Sequence, residues 1–215
     1  MAKSSVVALN MLDEGYILTP ERYDSLKLDD SKTGVKLKSI CNVIKETLTP
    51  KKADPNITYL VLDAGDVKDG FIRFKATVGS EEIGSTKKVL KVGDVIISRL
   101  RPYLRQVGYV DSGLINSLPE GTKIICSTEF FILRSEKDIS FLSPILLTNA
   151  PQKILNISQE GGHHPRFNLQ TLENISVEEN VLASKSDISK KFKKAISSLR
   201  AGEQGIHSLL NDLDA

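Results

Sequence analysis

The 215-residue chain has two cysteines, no tryptophan and only 6% aromatic residues. Two thiols, Cys41 and Cys126, cannot staple a disulfide scaffold or make a cysteine-only metal site. Both lie in apolar stretches, so buried free thiols in a reducing compartment are expected. No run approaches 18 apolar residues, which excludes a membrane-spanning helix. The opening MAKSSVVALNMLDEG has a four-residue apolar patch and no small-residue cleavage site, which argues against a secretory signal. A cytoplasmic protein is the expectation. Enzyme signatures are missing too. There is no Gly-rich turn ending in Gly-Lys-Ser/Thr and no strand–GxGxxG–helix unit. Ser98, Ser127 and Ser158 lack a GxSxG context. The Asn/Asp-Pro-Pro-aromatic clamp of amino-methyltransferases finds its nearest match in Asp54-Pro55-Asn56-Ile57, which does not qualify.

What is present is a hydrophobic content of 40%, enough for a core, with 26% charged residues for a solvated surface. The net charge of +2 hides an asymmetry. Residues 71–110 carry eight basic groups (Arg73, Lys75, Lys87, Lys88, Lys91, Arg99, Arg101, Arg105) against Glu81, Glu82 and Asp94, a local +5 that leaves −3 for the rest. Such clustering suggests a polyanion surface, with a solvated face as the alternative.

No internal repeat is visible. Residues 1–30 read as a lead-in segment, 31–183 as a domain and 184–215 as a separate helix. VKLKSICNVI is a short strand or helix, and ITYLVLD a buried strand. Glycines at 65, 70, 79 and 84 punctuate turns and short strands over 64–85. KKVLKVGDVIISRL alternates around Gly-Asp as a hairpin would. QVGYVD and TKIICSTEFFILR add strands, and ISFLSPILLTNAPQKILNI shifts to helical spacing. The body is predicted to be α+β with a mostly antiparallel sheet.

In the tail, Ile188, Phe192, Ala195, Leu199, Gly202, Ile206, Leu209 and Leu213 recur at alternating gaps of four and three. That is a heptad pattern over more than three heptads, on a helix about 40 Å long. It predicts a coiled-coil seam, against the alternative of an amphipathic helix folded onto the domain. Gly202 and Gly205 each weaken the helix by roughly 1 kcal/mol, so packing must help hold it.

Weaker constellations carry little. Asp63, Asp66 and Lys68 faintly match a metal-dependent nuclease, but Asp/Gly pairs usually make turns. Adjacent His163 and His164 point to opposite sides of an extended chain and cannot easily share a metal. The plain reading is a polar loop, and the functional one is contact with phosphate or base edges.

Four segments nevertheless resemble, in order, the target-recognition domain of type I restriction–modification specificity subunits. They are RYDSLKLDDSKTGVKLKSI, LKVGDVIISRLRPYLRQVGYV, STEFFILR and EGGHHPRFNLQTLENISV. The second is the most telling, through SRLRPYLR. The resemblance implies a recognition domain followed by a long spacer helix that packs as an antiparallel coiled coil. It implies a non-catalytic subunit that reads double-stranded DNA. A partner modification subunit binds S-adenosylmethionine and methylates adenine, and a restriction subunit cleaves with Mg. No cofactor is therefore expected in this chain.

A full specificity subunit has two recognition domains and two spacer helices; one of each is seen here, as in a half subunit. Two copies pairing their tails about a two-fold axis would rebuild the whole and favour an inverted-repeat target, with pairing to a different half subunit as the alternative. The expected DNA face is Lys75, Lys87, Lys88, Arg99, Arg101, Tyr103, Arg105, His163, His164 and Arg166, with arginine gripping phosphate or guanine. The expected dimer or partner interface is Ile188, Phe192, Ala195, Leu199, Ile206, Leu209 and Leu213. The competing readings are a coiled-coil scaffold that binds no DNA, or an inactive remnant. RNA recognition lacks the stacking aromatics it would need.

Overall fold

The structure, a computed structural model, describes residues 34–214. The lead-in segment at 1–30 and most of the first resembling segment, 22–33, lie outside the described residues. The strands are β1 (Val35–Lys36), β2 (Asn42–Ile44), β3 (Thr47–Leu48), β4 (Tyr59–Leu62), β5 (Val67–Lys68), β6 (Phe71–Ile72), β7 (Lys87–Val89), β8 (Val95–Ser98), β9 (Val107–Tyr109), β10 (Lys123–Ser127), β11 (Phe130–Arg134) and β12 (Ser176–Val177). The α-helices are α1 (Ser112–Asn116), α2 (Leu142–Leu146), α3 (Asn149–Ile157), α4 (Leu169–Glu173), α5 (Glu179–Ala183) and α6 (Lys185–Asp214).

Two four-stranded sheets organise the domain, in the orders β2-β11-β8-β9 and β3-β7-β10-β4. Of their strand pairs only β10 with β4 is parallel. The class is thus α+β with mostly antiparallel sheets and a long terminal helix. Strands β8 and β11 read as unbroken apolar runs because both their faces are covered. Side chains alternate across a strand, so Val95, Ile97, Phe131 and Leu133 enter one core with Leu142, Leu146, Leu155, Phe167 and Leu172 from the helices and the following loop. Ile96, Phe130 and Ile132 enter the other, against Leu60, Leu62, Ile124 and Cys126 of the second sheet. Each such side chain, fully buried, contributes about 1.5–3 kcal/mol.

The expected hairpin at 87–100 is corrected. β7 and β8 belong to different sheets, and β8 pairs with β9 and β11 instead. The Gly93-Asp94 turn redirects the chain between sheets: Gly93 sits at φ +94°, and Asp94 accepts from the Lys91 N–H at 2.7 Å. Asp94 also receives a two-pronged grip from Arg134, Nε to Oδ1 and Nη2 to Oδ2, both at 2.7 Å. This buried pair ties the start of β8 to the end of β11.

The β5–β6 hairpin lies across β9. Its Gly70 N–H donates to Val107 O at 2.9 Å, and Gly108 faces it so closely that a Cβ there would meet Val67 Cγ1 at 2.7 Å. Asp66 accepts from the Asp63 N–H at 2.8 Å and pairs with Lys75, so these acids shape a turn. Among the described residues no group of three potential metal ligands converges, and no helix is long and apolar enough to cross a membrane. Both cysteines are buried, and burial pushes their thiols up, Cys41 to about 11 and Cys126 to about 12.

Helix α6 spans 30 residues, about 45 Å. Its first half is fastened to the domain. Ile188 and Phe192 pack against the helix-side core, Ile196 is buried, and Phe192 meets Tyr109 edge-on at 5.9 Å. Arg200 is fully inserted, beside Asp111, Ile72 O and Glu203, with its guanidinium 4.3 Å from the Phe71 ring centroid. Beyond this, Phe74 against His207 at 5.6 Å is the outermost ring contact.

Candidate nucleic-acid interface

Basic side chains converge where β8 ends, where β10 turns into β11, and where the 158–168 loop returns. The chain leaving β8 pairs with that loop: the Arg101 N–H donates to Pro165 O at 2.8 Å, and the Phe167 N–H to Arg99 O at 3.2 Å. The Arg99 N–H donates to Glu129 O at 2.9 Å, drawing in the β10–β11 turn. Lys87 stands opposite Ser127 in the adjoining sheet.

These groups do not all face outward. Glu129 is gripped by two arginines: Arg166 donates from Nε to Oε2 at 2.9 Å and from Nη2 to Oε1 at 2.8 Å, and Arg99 from Nε to Oε2 at 2.9 Å. Arg166 thereby commits two donors to this half-buried carboxylate and Arg99 its Nε. Lys88 turns inward too, donating to Phe130 O at 2.6 Å with its ammonium 5.6 Å from the Phe131 ring centroid. Burial lowers the pKa of that ammonium. Lys75 pairs with Asp66 at 2.9 Å, and no described contact joins it to the cluster. Nine of the ten candidate positions are therefore brought to one end of the sheets, and three of those nine, Lys88, Arg99 and Arg166, hold the scaffold.

Three of the remaining six, Arg101, Tyr103 and Arg105, are carried by a tight turn. Arg101 and Arg105 bracket a single 3₁₀ turn, Pro102–Leu104, and both adopt left-handed backbone, at φ 48° and 53°. Such conformations cost about 1 kcal/mol or more for a non-glycine residue. The burial of Pro102, the first residue of the turn, and the packing of helix α3 against the turn hold the shape. Arg105 Nη2 donates to Asn149 Oδ1 at 3.0 Å, at the start of α3. Arg101 Nη2 lies 3.4 Å from His164 Nδ1, and His163 is exposed beside it. Tyr103 projects between the two arginines.

Sequence reasoning missed Glu129 and Asn149. The signal for Glu129 is one acid in a turn, 30 residues from Arg99 and 37 from Arg166, separations that only the sheet register closes. Its carboxyl is held down to about 2, first by the Arg166 hydrogen bonds, with burial opposing and Arg99 assisting. A carboxylate whose pKa is lower in the fold adds stability above its unfolded value, and loses it as pH falls from the ordinary 4.5 through about 2. Glu129→Gln is expected to lower Tm at neutral pH and to flatten the acid decline of Tm within that window. Parallel Tm–pH curves for the two proteins would show that the clamp adds no stability.

The expected interface on the tail divides. Ile188 and Phe192 are turned into the chain's own core, whereas Ala195, Leu199, Ile206, Leu209 and Leu213 stand exposed, with Leu210 beside them.

No protein-family model matches the chain, and no curated protein does. Solved structures do. One is a chain from a study of complex assembly and conformational transition in the type I R-M system. It is 24% identical with TM-score 0.55, over 82% of this chain and 46% of that one. Another is the HsdS subunit from Thermoanaerobacter tengcongensis, 23% identical with TM-score 0.52, over 82% of this chain and 46% of that one. The chain thus shares the fold of these structures and spans about half their length.

Proposed function

We propose that this chain is a DNA-recognition module of the type I specificity-subunit kind, which places a separate adenine methyltransferase, and with it an endonuclease, on a chosen duplex sequence. The observation that carries the proposal is the turn at 101–105. It projects two guanidinium groups and a tyrosine from strained backbone at the end of the sheets where nine candidate residues gather. The fold shared with an HsdS subunit supports it. So does the resemblance of SRLRPYLR and its three companion segments.

Recognition of this kind needs cations at phosphate-contact positions, and arginine presents them in a planar fork. Arg101 and Arg105 are the outward pair, with Lys87 on the adjoining strand and the histidines at the rim. S-adenosylmethionine and Mg are assigned to the partner subunits. The exposed stripe from Ala195 to Leu213 is assigned to a second copy of this chain, giving a homodimer with two recognition domains and a preference for inverted-repeat DNA.

The test is binding of a mixed-sequence duplex, titrated over a range of salt. Arg101→Ala and Arg105→Ala together are expected to weaken binding about tenfold. They should also reduce the slope of log K against log salt by about two, one for each phosphate that is no longer neutralised. Affinity and slope equal to wild type would remove this turn from the interface. The scaffold reading expects no duplex binding by either protein.

A further inference from the structure

The same turn carries a second feature. Away from the terminal helix, the large apolar side chains exposed among the described residues are Val92, Tyr103 and Leu104. The last two are neighbours at the apex of the turn, 54% and 44% exposed. A lone exposed leucine needs no explanation. An exposed Tyr-Leu pair raised on a rigid turn between two arginines does.

The rigidity is built from both sides. The Leu104 N–H donates to Arg101 O and the Arg105 N–H to Pro102 O, both at 2.9 Å. The Arg101 N–H is fixed to Pro165 O, and the Arg105 side chain to Asn149. Of the three described non-glycine residues with positive φ, two bracket this apex. The backbone is forced into that form, and the outcome is that two apolar side chains are pushed into solvent instead of into the core beneath.

We infer that Tyr103 and Leu104 form a wedge that enters a duplex between adjacent base pairs and partly unstacks them, while Arg101 and Arg105 hold the phosphates on either side. The chemistry fits: the interior of a stacked duplex is apolar, its borders are anionic, and the turn presents an apolar pair flanked by cations. Proteins that kink DNA insert apolar side chains in this way, and the cost of unstacking is offset by the contacts the bent duplex allows. A tyrosine ring offers a face for stacking on the exposed base. The inference rests on the DNA-binding proposal above and goes beyond it. It makes the turn a device for distorting the duplex, and distortion at a step lowers the unstacking cost for a partner enzyme that must take a base out of the stack.

The experiment compares two duplexes of one sequence, one intact and one with a single central mismatch that already weakens stacking. Wild type is expected to bind the mismatched duplex about tenfold more tightly, because part of the unstacking cost is already met. In Tyr103→Ala with Leu104→Ala that ratio is expected to fall to about one, and Tyr103→Phe should keep it. Arg101→Ala with Arg105→Ala should weaken both duplexes equally and leave the ratio intact. Equal affinity of wild type for the two duplexes would overturn the wedge and leave DNA binding standing. Loss of binding to anionic lipid vesicles in the Tyr103/Leu104 variant, with no mismatch preference in wild type, would assign the apolar pair to a lipid surface instead. No binding of either duplex by wild type would overturn the DNA-binding proposal, and the wedge with it.

Discussion

Asp111→Ala is expected to remove about 3 kcal/mol of unfolding free energy, read as a lower urea midpoint at unchanged slope. The Arg200 side chain is 4% exposed and that of Asp111 11%. Arg200 Nη2 donates to Asp111 Oδ2 at 2.8 Å and also to Ile72 O at 2.8 Å. Without Asp111 a buried guanidinium keeps Glu203 but is deprived of its most enclosed carboxylate, and breaking a buried pair from one side leaves an uncompensated charge. Asp111 has a second task, accepting the Leu114 N–H at 2.9 Å to cap α1, worth about 1 kcal/mol. Asp111→Ser separates the two: serine keeps a cap acceptor and removes the ion pair, so most of the loss should persist. Adding Arg200→Met to Asp111→Ala should recover part of it, since a buried pair can often be replaced by apolar groups at little cost. A loss below 1 kcal/mol in Asp111→Ala would mean that Arg200 finds water or Glu203 a sufficient partner.

The residues of this network explain why the sequence was only partly legible. β8, β10 and β11 were readable because apolar runs buried on both faces leave a continuous signal. The helical spacing at 142–157 was readable for the corresponding reason of period. The partner of each strand was not. The alternation around Gly93-Asp94 is the same whether β7 and β8 pair or part, and the deciding contact, Arg134 on Asp94, comes from 40 residues away. The tail's heptad was visible as period but not as two stripes. The stripe that holds the domain runs through Ser189, Ile196 and Arg200, and two of those three are polar. A serine and an arginine do not register as core until Asp111 and Phe71 are found beside the arginine. Arg200 is the only arginine from 185 onward, among five lysines, and that choice was the available signal: a planar fork suits a buried, multiply bonded site where an ammonium does not. In the basic cluster, likewise, residue type identified the arginines. Only the fold separates Arg99 and Arg166, which pair with Glu129, from Arg101 and Arg105, which bracket the exposed turn.

Ile206→Asp is expected to turn the proposed dimer into a monomer in light scattering, weakening self-association by at least about 100-fold. The helix is fastened through Arg200 and Glu203, the latter accepting the Phe74 N–H at 2.8 Å. The stripe from Ala195 to Leu213 therefore keeps a fixed direction relative to the domain along about 27 Å of helix. Ile206 is 65% exposed there, followed by Leu209 and Leu213 at heptad spacing, and a monomer in water gains nothing from that arrangement. Gly202 and Gly205 lie in the same stretch, and among the described residues a Cβ at either would meet nothing within 4 Å beyond its own helix turn. Their helix-weakening effect is thus not repaid by a contact among the described residues, whereas a second helix crossing at Gly202 would approach closely. A carboxylate at position 206 would have to be desolvated in the seam without a partner, which is why the expected loss is large. Leu199→Asp lies nearer the domain on the same stripe and should act in the same direction. Arg200 and Asp111 face the domain, so neither substitution should lower the urea midpoint of the folded body. A dimer that persists in both variants would show that the copies meet elsewhere. A wild-type monomer at high protein concentration would leave the stripe for a different chain, and the inverted-repeat preference would fall with the homodimer.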